Sequence, residues 1–272
     1  MAGTSNPAVF DTSVPNDARM YDHWLGGKDN FKADREAADR SAQAVPELPG
    51  LSRENRKFLG RAVRFCANAG IRQFLDIGSG LPTMENVHQV AEQVTVNPSV
   101  VYVDNDAVVV RHAQALLAAP QTTALQGDLA HAGEILADEN VRRLIDFSRP
   151  VAVLLVAVLH FIPDETGVAA SVAKLRDAMA PGSYLVMSHI VLAPGHAVGH
   201  QPLSQTAREL GEARKGMPNA AVRSREEVAA FFGDLTLVEP GLTDVWAWRP
   251  DGDAVATASE VMTLLGAVAR KD

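Results

Sequence analysis

The seven residues Phe74–Gly80, Phe-Leu-Asp-Ile-Gly-Ser-Gly, leave this chain few ways to fold. A continuous apolar run bounded by turn residues reads as a strand buried on both faces, and such strands belong to parallel sheets. Gly78 and Gly80 then let the backbone turn sharply and approach a ligand where a Cβ would collide. With a helix following, its first amide groups face whatever the loop holds. The stretch therefore predicts strand, turn and helix around a cofactor.

The rest of the chain repeats that unit. Apolar runs at 71–77, 100–103, 122–125, 151–156 and 184–189 alternate with helical patterns at 83–94, 107–118, 132–145 and 165–179. Alternating strands and helices predict an α/β fold, a Rossmann-like, doubly wound, mostly parallel sheet with right-handed crossovers. Two further strands at 235–238 and 243–248, joined by Glu239-Pro240-Gly241, predict a terminal antiparallel hairpin. An Ala-rich stretch from 255 to 269 reads as a final helix. Three helices, 17–25, 31–44 and 53–69, precede the first strand and are too short to bury a core alone. Residues 1–70 are thus expected to be a tail and helical cap of the same domain, and 71–272 its core.

Charge and composition close off several classes of function. A formal net charge of −8 over 272 residues argues against a general polyanion binder. Residues 1–15 are polar and lack the apolar core of a signal peptide, and no apolar run reaches spanning length. The expected location is cytoplasmic. Cys66 is the single cysteine and lies on an apolar helical face, so core packing is expected of it.

Three loops at strand ends carry the chemistry. The first is Asp76-Ile77-Gly78-Ser79-Gly80. The second is Asp104, ending Val100–Val103, where a carboxylate can accept both hydroxyls of a ribose. The third is Gly127-Asp128-Leu129, where the acid can accept from an adenine amino group and Leu129 can line the ring. One G-x-G alone is weak, but three such loops in order mark a nucleoside-bearing cofactor.

In these loops the chain resembles the class I methyltransferases that use S-adenosylmethionine. Pro82 stands where a third glycine is often found. The segment Asp17-Ala-Arg-Met-Tyr-Asp-His-Trp-Leu-Gly-Gly-Lys-Asp-Asn-Phe31 is similar to the signature of the S-adenosyl methyltransferase family, once a domain of unknown function. Glu54-Asn55-Arg56, Val101–Asp106, Leu159–Ile162 and Trp248-Arg249-Pro250 also match. The resemblance implies methyl transfer from S-adenosylmethionine, without naming the acceptor. It implies a cofactor over Asp76, Gly78, Ser79 and Gly80, with Asp104 on the ribose and Asp128, Leu129 and Asn105 around the adenine. Val156 and Ala157 would flank the methionine portion. Tyr21 would close over the site, and Gly27 would let the next loop approach so that Asn30 could bind the amino-acid end.

His160 follows the fourth strand, where substrate-facing residues lie, and is the candidate general base. His196 and His200 have the i, i+4 spacing of a metal pair, but the glycines and proline around them argue against a helix, and no metal site is expected. Arg208, Arg214 and Lys215 read as a solvated helix face. The acceptor is expected to be a small molecule entering near His160 and residues 192–201, with no nucleic acid or membrane as partner. Two other readings stand beside the enzyme: a binder that keeps the cofactor pocket without transfer, and a nucleotide-dependent oxidoreductase, which the acid before the first glycine disfavours.

Overall fold

The computed structural model describes residues 11–82, 85–116, 119–192, 221, 223–252 and 262–272. Its centre is one sheet with strand order β3-β2-β1-β4-β5-β8-β6, and β7 pairs with β8. The strands are β1 Gln73–Ile77, β2 Ser99–Asp104, β3 Thr122–Gln126, β4 Ala152–Val156, β5 Tyr184–Leu192, β6 Thr236–Leu237, β7 Thr243–Asp244 and β8 Met262–Arg270. The first five are parallel and the last three join antiparallel through β8. The chain reverses its direction of growth between β1 and β4, and open α/β sheets bind ligands at that switch point.

Side-chain alternation builds a core on each face. Phe74, Leu154 and Val186 point into one cluster, and Leu75, Leu155 and Met187 into the other. The first face is covered by α3 (Leu48–Asn68), whose buried Leu51, Phe58, Leu59, Ala62, Val63 and Cys66 recur at helical spacing. The opposite face carries α6 (Ala132–Ala137), α7 (Glu139–Leu144), α8 (Val168–Ala178) and α9 (Arg225–Ala230). Cys66 is fully buried, and burial pushes its thiol pKa up, in keeping with core packing.

At the front of the chain lie α1 (Asp17–Trp24) and α2 (Lys32–Ala44). Asn16 caps α1 by accepting from the amides of Ala18 and Arg19 at 2.8 and 3.2 Å. Arg19 is 4% exposed and pairs with fully buried Asp34 at 3.0 Å; its other arm donates to the Val14 carbonyl. The same guanidinium lies 3.7 Å from Asp106, ahead of α5 (Ala107–Leu116). This network holds residues 14–18 against the strand ends.

Several expectations are corrected. Residues 262–270, read as helix, form the longest antiparallel pairing of the sheet, β8 against all of β5. An apolar run cannot be assigned to strand or helix by periodicity alone. Here a slot between β5 and β6 decides, and Gly266 fits it because a Cβ there would lie 2.9 Å from the Phe58 ring. The antiparallel strands near 236 and 244 are present, but each pairs with β8. The helix expected from 83 is α4, Val87–Glu92. The third N-terminal helix starts earlier, at Leu48, because Pro49 is tolerated in a first turn. The stretch 132–145 splits into α6 and α7 where Asp138 leaves helical geometry to cap α7.

Candidate functional site

A cavity of about 300 Å³ opens at the carboxyl ends of β1 to β4. It meets the lower end of the volume range of small-molecule sites. Its floor is Asp76–Gly80, its sides are Asp104 with Asn105 and Gly127–Leu129, and Val156–Val158 close the far end. Pro15–Ala18 and Tyr21 cover it from the N-terminal helices, while Asn55, Arg56 and Leu59 reach in from α3.

The three loops brace one another through the main chain. The Gly78 and Ser79 amides donate to the Val103 carbonyl at 2.8 and 3.2 Å, and Gly127 donates to the Asp104 carbonyl at 3.0 Å. Asp104 accepts from the Gly80 amide at 2.9 Å and the Asp106 amide at 3.0 Å, leaving lone pairs for a ligand. Gly78, at φ +75°, is required twice: for its left-handed backbone and because a Cβ would lie 2.4 Å from Val158. At Gly80, φ +65°, the space a Cβ would enter is open.

Burial sets the electrostatics of the floor. Asp76 is 5% exposed, and desolvation pushes its pKa up to about 7; nearby Asp104 raises it further and the Arg56 guanidinium opposes. Burial also raises Asp104, against the amide hydrogen bonds it accepts. The acids facing the cavity, Asp17, Asp76, Asp104 and Asp128, outnumber its one guanidinium, Arg56, among the described residues.

A second set of contacts crosses the molecule through side chains. The Ala157 amide donates to Ser188 Oγ at 2.9 Å, and that hydroxyl donates to Asn55 Oδ1 at 2.7 Å. Asn55 Nδ2 donates to the Tyr21 hydroxyl at 3.0 Å, which donates to the Ser52 carbonyl at 2.8 Å. The chain of bonds ties the end of β4, with Ala157 at φ +57°, through β5 and α3 to α1. Desolvation raises the Tyr21 pKa, so its hydroxyl stays neutral.

Of the residues singled out in the sequence, Tyr21, Asp76, Gly78, Ser79, Gly80, Asp104, Asn105, Asp128, Leu129, Val156 and Ala157 line this cavity. Gly27, Asn30 and His160 are not among its lining residues. Asn30 Nδ2 donates to Asp22 Oδ2 at 2.8 Å and to the Gly27 carbonyl at 3.1 Å. A Cβ on Gly27 would lie 1.9 Å from Asp22, so both residues build the turn after α1. His160 is 3% exposed, with its ring against Phe161 and His189; Phe161 and Ile162 line the cavity in its place. Arg223 holds that wall by donating to the carbonyls of Leu159 and Ile162, each at 2.8 Å. It also donates to His189 Nε2, and burial lowers the His189 pKa to about 4. His196, His200, Arg208, Arg214, Lys215 and the segment 193–201 lie outside the described residues. Among the described residues, no group of three His, Cys, Asp or Glu could hold a metal ion, and no helix is long and apolar enough to cross a membrane.

Sequence reasoning passed over Asn55 and Arg56 as site residues, although both stand in the quoted Glu54-Asn55-Arg56 piece. Ser188 carried no signal, because a serine inside an apolar strand run has no local pattern.

Comparison with known proteins gives a consistent result. Residues 3–272 match the model of a family described as S-adenosyl methyltransferase. A candidate methyltransferase from Thermobifida fusca YX shares 41% identity, with 99% of each chain covered and a TM-score of 0.87. A DUF574 family protein from Streptomyces avermitilis MA-4680 shares 40% identity over 96% of this chain and 99% of that one, with a TM-score of 0.86. No curated protein matches the chain.

Proposed function

The chain belongs to the S-adenosyl methyltransferase family and uses S-adenosylmethionine, and on that premise we propose that it methylates a small-molecule acceptor bound beside the Phe161–Ile162 wall. The observation that carries the site assignment is the Asp104 carboxylate, fixed by two amides at the end of β2 with lone pairs left over. The residues present fit the cofactor. The space beside Gly80 is open, the acids suit a ligand bearing a sulfonium and an ammonium, and Asp104 suits a ribose diol.

When bound, the cofactor supplies an electrophilic methyl group for direct displacement. The chain's own residues supply alignment, which accounts for much of the rate in such a reaction. Asp104 holds the ribose, Asn105, Asp128 and Leu129 border the adenine, and Arg56 pairs with the carboxylate of the amino-acid end. Val156 and Ala157 flank the methionine portion, and Tyr21 with Pro15–Ala18 excludes water from above. The N-terminal helices thus work with the core as one unit. His160 supports the wall through Phe161 instead of acting as a base, since its imidazole is buried outside the cavity.

The test is twofold. Calorimetry should detect S-adenosylmethionine binding that Asp104→Asn weakens strongly. Release of S-adenosylhomocysteine should then accelerate with one member of a small-metabolite library. Acceleration only by a protein or nucleic-acid acceptor would overturn the small-molecule assignment.

A further inference from the structure

At the opposite, amino ends of β1 and β2 lies a second cleft, of about 370 Å³. Its walls carry Arg72, Arg142, Arg143 and Arg149 against a single acid, Asp146. Four guanidiniums around one cleft repel one another, and the chain as a whole has a net charge of −8. The one acid offsets only part of this charge, and its Oδ1 accepts from the amide and hydroxyl of Ser148, at 3.0 and 2.6 Å.

The guanidiniums are engaged to different degrees. Arg72 donates to the Ala67 and Ile71 carbonyls, and Arg142 Nε donates to the Leu136 carbonyl. These bonds fix the two side chains and leave further N–H groups over. The guanidiniums of Arg143 and Arg149 make no hydrogen bond or ion pair among the described residues, although Asp146 feels the charge of Arg149. The backbone beneath them is held rigid. Gln73, 6% exposed, donates to the carbonyls of Asp146 and Pro150 and accepts from the Asp146 amide at 2.6 Å. The loop bearing Arg149 is therefore pinned to the first residue of β1.

We propose that this cleft is a second ligand site, for a small anion carrying two or more phosphoryl or carboxylate groups. Planar guanidiniums match the oxygens of either group in pairs, and several around one concavity suit a ligand with several charges. These four arginines surround one concavity of an acidic protein, which favours a small ligand over a polymer needing an extended track. The strand length separates this site from the cofactor cavity, about 16 Å for the five residues of β1. A ligand here would not compete with S-adenosylmethionine for space.

The experiment is titration calorimetry of the whole chain with pyrophosphate and with citrate, at matched ionic strength in chloride. The expected result is a dissociation constant of about 1 mM or below for at least one of them. The tighter of the two identifies the group preferred. Arg143→Gln/Arg149→Gln should weaken that binding by about tenfold or more and leave S-adenosylmethionine binding unchanged. If the double variant also loses the cofactor, Arg149→Ala alone is judged by the same criterion. Heats no larger than those of chloride, or equal binding by wild type and variant, would overturn the proposal. So would binding of a 20-nucleotide single strand in the absence of any pyrophosphate or citrate effect.

Discussion

The two walls of the cavity at the strand ends are made differently. The floor, from Asp76 through Asp104 to Leu129, is braced by backbone amides and carbonyls between neighbouring strand ends. The opposite wall is a side-chain relay, Ala157–Ser188–Asn55–Tyr21, joining residues up to 133 positions apart. The first depends on glycines and acids in short motifs. The second depends on partners that only folding brings together. Damage to the floor should be severe and sensitive to pH, whereas damage to the relay should be graded and largely independent of pH below the titration of Tyr21.

The largest contrast is expected from pH. The folded Asp76 pKa, about 7, lies above its ordinary 3.8, so its contribution to stability is fully present below about pH 4 and is lost as pH rises through 7. Full ionisation costs about 4 kcal/mol. Thermal melts of the cofactor-free protein should show Tm falling over that range, and Asp76→Asn should flatten the profile; an unchanged profile in the variant removes Asp76 as its source. Next comes Gly78→Ala, which combines a left-handed backbone with a contact of 2.4 Å to Val158. Denaturant unfolding should show a loss of roughly 2–5 kcal/mol.

Asp104→Asn keeps the shape, removes the charge and replaces one of the two oxygens that accept the Gly80 and Asp106 amides with a donor. Calorimetry should read S-adenosylmethionine affinity roughly 30–1000-fold weaker, since charge-assisted bonds are worth about 1.5–3 kcal/mol each. On the relay, Asn55→Ala removes the acceptor of the Ser188 hydroxyl and the donor to the Tyr21 oxygen, and unfolding should register about 1–3 kcal/mol. The smallest effect belongs to Tyr21→Phe, about 0.5–1.5 kcal/mol, with cofactor affinity changed by less than about tenfold. If Tyr21→Phe cost as much as Asp104→Asn in affinity, the distinction between the two walls would collapse.

The same distinction explains what could be read in advance. Asp76, Gly78, Gly80, Asp104 and Asp128 were legible because each closes an apolar run, and a strand end next to a glycine or acid is a local pattern. Gly27 and Asn30 carried an equally local signal, a double glycine after a helix, but that pattern serves a turn as well as a ligand. The structure gives both to Asp22. His160 lies after β4 as expected, yet the direction its ring takes depends on His189 and Arg223, which are distant in sequence.

The order of strands and helices, the parallel core and the strand-end loops were determined by the sequence itself. Apolar periodicity, glycine conformation and helix capping act over a few residues. Tertiary structure alone decided that 262–270 is a strand, because an Ala-rich apolar run satisfies helix and buried strand alike until β5 offers it a partner. It alone brought Asn55 and Tyr21 to the cavity with Ser188 buried behind them, and four arginines around the cleft at the far end of the sheet. Such groupings arise from packing between elements remote along the chain, and no local periodicity encodes them.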